Sequence, residues 1–173
     1  MNSKAKGNRF ELAISHEFSE RWNDTFKRVP QSGAIVGGKN RIKLLTLRDD
    51  AQQIFSADII CPRWFPFALE LKNYGPDNGP NMYTLLETDS KILDNWLAQA
   101  KGDAVFARKK YMIIFNVTRR SCFIIVDYAD FVQHCIKKPE DMPKKFIVYN
   151  TSIIIDKKEF LDNYIVAYFP SRN

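Results

Sequence analysis

The sequence predicts an α/β fold with a central mixed β-sheet flanked by helices. Three observations point to it. Apolar residues recur at helical spacing in two separate stretches, one near the N-terminus and one near the middle. Between and after them lie short apolar runs of strand length, such as YMIIF and CFIIV, bounded by Gly, Pro and Asn. A chain of 173 residues with 45% hydrophobic and 27% charged residues is the right size and composition for one domain with its own core.

The first helix is expected over residues 8–23. Phe10, Ile14, Phe18 and Trp22 recur every four residues with Ala13 alongside, which gives an apolar stripe. Asn8 is the expected N-cap, with Glu11 at the third helical position, where an acid complements the helix dipole. KRVPQSGAIVGGKN carries Pro30 and three glycines and reads as an irregular strand and loop; RIKLLTLRDDAQQIF reads as a strand extended by a loop. SADIIC and FALELK are two short strands joined by PRWFP, where Pro62 and Pro66 fence a turn. NYGPDNGPNMY is a Gly/Pro/Asn-rich loop long enough to carry function. A second helix is expected from Ser90 to Lys101, striped by Ile92, Leu93, Trp96, Leu97 and Ala100 and capped by Asp89 or Ser90. YMIIFNV and CFIIVDY form a strand pair around Thr118–Ser121, and DYADFVQHCIKK is a short helix. FIVYNTSIIID and NYIVAYF supply strand-like C-terminal segments.

The net charge is +6, and its distribution matters more than its size. Residues 1–48 hold ten Lys/Arg against four Asp/Glu, whereas residues 49–173 hold sixteen of each. The excess therefore sits in the N-terminal segment, as expected of a basic face for an anionic partner, a solvated surface being the alternative. MNSKAKGNRFELAIS lacks the apolar stretch of a secretory signal, and no apolar run approaches the roughly 20 residues that span a bilayer. Three cysteines without a Cys-x-x-Cys pair and only two histidines make structural zinc and a disulfide framework unexpected. No P-loop is present. A cytoplasmic setting, in a prokaryotic cell or encoded by a virus within one, is expected.

Chemistry concentrates in the Pro-fenced hairpin. A turn centred on Trp64 sets Asp58 directly opposite Glu70, with their Cβ atoms about 5 Å apart on one face. Lys72 follows Glu70 by two residues and shares that face. Two opposed carboxylates repel unless a cation lies between them, so the arrangement reads as a cradle for Mg²⁺, with Mn²⁺ as a substitute, beside an ammonium. A solvated strand face is the alternative. The apolar flanks ADII and FALELK favour the cradle, because a central ribbon buries its acids at a cost of several kcal/mol unless they are paired.

ADIICPRWFPFALELK resembles the core of the PD-(D/E)xK nucleases, with Ala57-Asp58 where the family has Pro-Asp, and Glu70-Leu71-Lys72 as the Glu-x-Lys triplet. Upstream, KGNRFELAISHEF is similar to the first helix of archaeal-type Holliday-junction resolvases, through Gly7, Phe10 and Glu11. RVPQSGA, Arg28 to Ala34, looks like their Arg-x-x-x-Ser-Gly segment. The resemblance covers roughly Lys6–Ala104 and implies a restriction-endonuclease-like fold. It makes the chain a single nuclease domain over 1–173, with a core over about 6–126 and a β-rich extension over about 127–173.

The resemblance also implies roles. Asp58 and Glu70 hold one or two Mg²⁺, with Glu11 as a third carboxylate acting directly or through water; a dipole-compensating acid is the other reading of Glu11. Lys72 orients the attacking water, Ser32 sits near the scissile phosphate, and Gln99 resembles a helix-borne Gln near the site. DNA phosphates are expected at Lys4, Lys6, Arg9, Arg28, Lys39, Arg41 and Lys43, with Gln99 nearby.

The leading expectation is a structure-selective endonuclease that hydrolyses phosphodiesters at four-way junctions, working as a two-fold homodimer. Ile153–Ile155 and Ile165–Phe169 are interface candidates, with core strands as the alternative. A restriction- or repair-type duplex nuclease of the same fold is the second expectation, with residues 36–55 and 73–88 as recognition loops. A non-catalytic DNA-binding module is the third.

Overall fold

A computed structural model of the chain describes residues 3–29, 57–74, 80, 89–117 and 121–169. Helix α1 (Ser3–Trp22) buries Ile14 and Phe18, as the stripe requires. It starts at Ser3 and not at Asn8, which is a correction to the expected cap. Lys4, Ala5 and Lys6 are good helix formers, and Gly7 costs only about 1 kcal/mol relative to Ala. Asn8 therefore lies inside the helix, and its side chain is used elsewhere. The helix stops at Asn23, which adopts a left-handed φ of 48°, and Asp24 N–H donates back to Ser19 O at 3.3 Å.

The strands are β1 (Lys27–Arg28), β2 (Ile59–Ile60), β3 (Phe67–Tyr74), β4 (Lys110–Val117), β5 (Cys122–Asp127), β6 (Phe146–Tyr149) and β7 (Ser152–Asp156). They form a sheet in the order β1-β2-β3-β4-β5-β7-β6. The pairs β1–β2, β2–β3, β4–β5, β5–β7 and β6–β7 are antiparallel. The helix after β3 returns the chain so that β4 starts beside the start of β3, where Lys110 N–H donates to Pro66 O at 2.9 Å. That is the crossover a parallel pair needs, so the sheet is mixed. The α/β fold with helices flanking a mixed sheet is the one expected.

Helix α2 (Lys91–Ala107) is capped by Ser90, whose Oγ accepts Leu93 N–H at 3.4 Å. It runs past the expected end at Lys101. The apolar stripe continues through buried Ala100, Ala104 and Ala107, and this outweighs the cost of Gly102 in the interior. Helix α3 (Tyr128–Cys135) begins at Asp127, whose carboxylate accepts Asp130 N–H at 3.0 Å.

The C-terminal expectations need one correction. FIVYNTSIIID is strand as expected, folded as the hairpin β6–β7, paired Tyr149↔Ser152, with Asn150 in a left-handed turn at φ 53°. NYIVAYF, by contrast, is not strand-like: helix α4 (Lys157–Asn163) leads into a 3₁₀ turn over Ile165–Tyr168. Ile165 and Tyr168, three residues apart, turn inward together, which is a helical and not a strand period. Ile153–Ile155, Ile165 and Tyr168 are buried within this chain, so most of the proposed interface positions are core. None of the three cysteines is in a disulfide. No helix of the described residues is long and apolar enough to cross a membrane.

By compactness the chain divides into two units, Met1–Leu71 with Ala98–Tyr111 and Lys72–Leu97 with Met112–Asn173. The first is held by a cluster of aromatic rings. Fully buried Phe65 lies 5.1 Å from Phe26, 5.4 Å from Trp22, 5.8 Å from Trp64, 5.9 Å from Phe67 and 6.0 Å from Phe18. Trp64 closes the cluster by donating its indole N–H to Asp24 at 2.6 Å. In the second unit, Tyr149 OH accepts Ser90 N–H at 2.6 Å and donates to Asp94 at 2.9 Å, fastening the hairpin to the start of α2.

Candidate active site

The Pro-fenced turn folds as its spacing requires. Phe65 N–H donates to Pro62 O at 3.1 Å, and Ile59 pairs with Leu69 across the hairpin. The strand pairing reaches no farther than Ile59 and Leu69; Asp58 is a bend residue just before β2.

Asp58 is locked by three bonds. Its carbonyl accepts Val29 N–H at 2.9 Å, its N–H donates to Leu69 O at 3.0 Å, and its Oδ2 accepts Leu71 N–H at 2.8 Å. The carbonyl points away toward the β1 side, so the carboxylate takes the β3 amide that a backbone oxygen would otherwise take. This aims the side chain along the sheet toward β3, and the bond is a charge-assisted one. Glu70 is only 4% exposed, and its Oε1 accepts the amide of Gln99 at 2.7 Å. A carboxylate at that depth is costly without polar partners, and the amide on α2 supplies one. Lys72 stands two residues farther along β3, half-buried, on the face that strand alternation assigns to Glu70.

Glu11 is held differently. Its carboxylate forms an ion pair with the Arg28 guanidinium, and Arg28 Nη2 donates to Asn8 Oδ1 at 2.7 Å. Asn8 and Glu11, three residues apart on α1, share the face that meets β1. Arg28, expected at a DNA phosphate, thus fastens the helix to the strand in this structure. Among the described residues, no group of three or more His, Cys, Asp or Glu side chains is placed to hold a metal ion. The donor set that fits a hard divalent ion here is the Asp58–Glu70 pair: oxygen ligands only, one of them pre-aimed by the Leu71 amide. Lys6 and Arg9 lie on α1, half-buried and exposed respectively, and Lys4 belongs to its first turn. Ser32, Lys39, Arg41 and Lys43 lie outside the described residues, as do the loops expected over 36–55 and most of 73–88.

Sequence reasoning missed two polar groups, one on α1 and one on α2. Asn8 was read as a cap and serves as the second acceptor for Arg28. Asp103, one turn beyond Gln99 and 8% exposed, was lost because the helix was ended at Lys101. The signal available was the Ala100, Ala104, Ala107 spacing, which carries the helix past Gly102.

A family model described as "Phage putative PDDEXK endonuclease" matches residues 2–168. No curated protein and no solved structure matches the chain.

Proposed function

The chain belongs to the phage putative PDDEXK endonuclease family, and from that premise we propose that it is a divalent-metal-dependent endonuclease that cuts branched DNA at four-way junctions. The observation that supports the catalytic part is that Asp58 Oδ2 accepts the Leu71 amide of β3, next to buried Glu70 and followed by Lys72 on the same strand.

Asp58 and Glu70 would hold the ion. When bound, Mg²⁺ or Mn²⁺ supplies Lewis-acid polarisation of the scissile phosphate and a water of lowered pKa. The protein's own groups do the positioning. The Leu71 amide orients Asp58, the Gln99 amide orients Glu70, and the Lys72 ammonium offsets the charge that gathers on the phosphate and holds the attacking water in line. Glu11 with Arg28 sets the distance of α1 from β1, and Lys4, Lys6 and Arg9 on that helix lead the contacts to backbone phosphates. Lys39, Arg41, Lys43 and Ser32 extend the same basic segment. Nothing in this set reads bases, which favours recognition by shape. A four-way junction needs two symmetric cuts, so the working form is a two-fold homodimer with one site per chain.

Two measurements check this reading. With Mg²⁺, wild-type protein should introduce paired nicks in a four-way junction and leave a linear duplex of matched sequence intact. Duplex cutting at a comparable rate would instead make it a restriction- or repair-type enzyme. Gln99→Ala should lower cleavage by about 10–100-fold, the usual cost of losing a hydrogen bond that orients a metal ligand. Adding Mn²⁺ should recover part of that loss, whereas a merely misfolded variant would not respond.

A further inference from the structure

On one side the sheet ends in β6, which pairs with β7 and, among the described residues, with no other strand. A strand in that position presents a row of amide and carbonyl groups to whatever lies beside it. The hairpin register decides which ones. Tyr149 and Ser152 close a two-residue turn, so they exchange their backbone bonds with each other. Alternation then points the amides and carbonyls of Phe146 and Val148 outward. The side chains of the same residues are 41% and 45% exposed, although both are large and apolar. No proline or charge interrupts Phe146-Ile147-Val148-Tyr149; Pro143, Lys144 and Lys145 all precede it.

The two ends of this edge carry opposite charge. Lys144 and Lys145 stand exposed just before the strand. At the other end, Tyr149 OH donates to Asp94 Oδ1 at 2.9 Å, and Asn150 Nδ2 donates to the same oxygen at 3.3 Å. Asp89 adjoins Ser90, whose N–H the Tyr149 hydroxyl accepts at 2.6 Å. Each end also holds one opposing charge: Glu159 accepts Lys144 N–H at 3.3 Å, and Lys91 follows Ser90. Two bases against one acid leave the first end positive, and two acids against one base leave the second negative.

We propose that β6 is a dimer interface, pairing antiparallel with β6 of a second copy about a two-fold axis through Ile147. The inference rests on the reading of the working form as a two-fold homodimer and names its surface. In that register Phe146 lies opposite Val148 of the second copy, and the pair exchanges the outward backbone bonds of both residues. Lys145 lies opposite Tyr149 of the second copy on one face, with Asp94 behind that hydroxyl, and Lys144 lies opposite Asn150. A parallel arrangement would set lysines beside lysines. The symmetric antiparallel one satisfies both ends at once, so a second copy is the occupant that fits. An interface of this size falls in the weak class, below roughly 1,200 Å², and its dissociation is therefore measurable.

Sedimentation velocity across a concentration series, without DNA, tests it. The wild type should show a monomer–dimer equilibrium. Lys145→Glu and Asp94→Lys should each weaken the dimer about tenfold or more, because each turns both symmetry-related charge pairs repulsive. Mixing the two variants should restore association, since each chain then supplies the charge that the other lacks. A damaged fold would show no such recovery. Val148→Lys, at an exposed side chain, should abolish the dimer and leave the circular dichroism spectrum unchanged. Loss in both charge variants with no recovery on mixing would overturn the register. A wild-type dimer that none of these substitutions weakens would overturn β6 as the interface and leave the homodimer intact. A wild type that stays monomeric at every concentration would overturn both.

Discussion

Glu70→Gln is expected to cut DNA roughly 10³-fold more slowly than the wild type, with binding retained; removing one group that stabilises transition-state charge already costs about 10²–10³-fold. The substitution keeps the shape and removes the charge. Glu70 is 4% exposed at the centre of β3 and accepts a 2.7 Å hydrogen bond from Gln99, so a Gln fits the same space. What it lacks is the anionic oxygen that a hard divalent ion selects. DNA affinity should hold or improve, since one of the two carboxylates repelling the phosphates is gone. Single-turnover cleavage at saturating protein separates this loss of chemistry from a loss of binding, and equal losses in both would argue for damage to the fold.

Phe65→Ala should cost about 3–5 kcal/mol of stability, the range for truncating a fully buried Phe. For a domain whose whole stability is about 5–15 kcal/mol this is a large fraction. The ring is the hub of the first unit, within 6.0 Å, centroid to centroid, of Phe18, Trp22, Phe26, Trp64 and Phe67. Phe18 and Trp22 belong to α1, Phe26 precedes β1, and Trp64 and Phe67 belong to the hairpin. One cavity therefore loosens the attachment of the helix that carries Glu11 to the hairpin that carries Asp58 and Glu70. A urea melt gives the cost directly. A drop of less than 1 kcal/mol would mean that the neighbouring rings collapse into the space and that the cluster is not the anchor described.

Much of the site is legible in the sequence because it is local. Pro62 and Pro66 restrict the connection, Trp64 sits at its centre, and the register of the hairpin follows from counting outward. Long-range choices were not legible. Glu11 and Arg28 are 17 residues apart, and nothing in either segment announces that the guanidinium serves the helix and not the DNA. Both misplaced helix ends share one cause. Gly7 and Gly102 look like boundaries in a window of a few residues, yet burial of Ile14 and Phe18 in α1, and of Ala104 and Ala107 in α2, exceeds the roughly 1 kcal/mol each glycine costs. The C-terminal strand expectation failed for a related reason. Ile165, Val166, Tyr168 and Phe169 have strand-like composition, but their burial follows a period of three.

The central claim is that Asp58 and Glu70 together form a divalent-metal site for phosphodiester hydrolysis. Its most direct test is a cleavage assay on junction DNA with wild-type protein and Asp58→Asn, each in Mg²⁺ and in EDTA. Cutting by the wild type in Mg²⁺ alone, abolished by EDTA and by Asp58→Asn, is the predicted result. Cutting by Asp58→Asn at the wild-type rate, or by the wild type in EDTA, would contradict it.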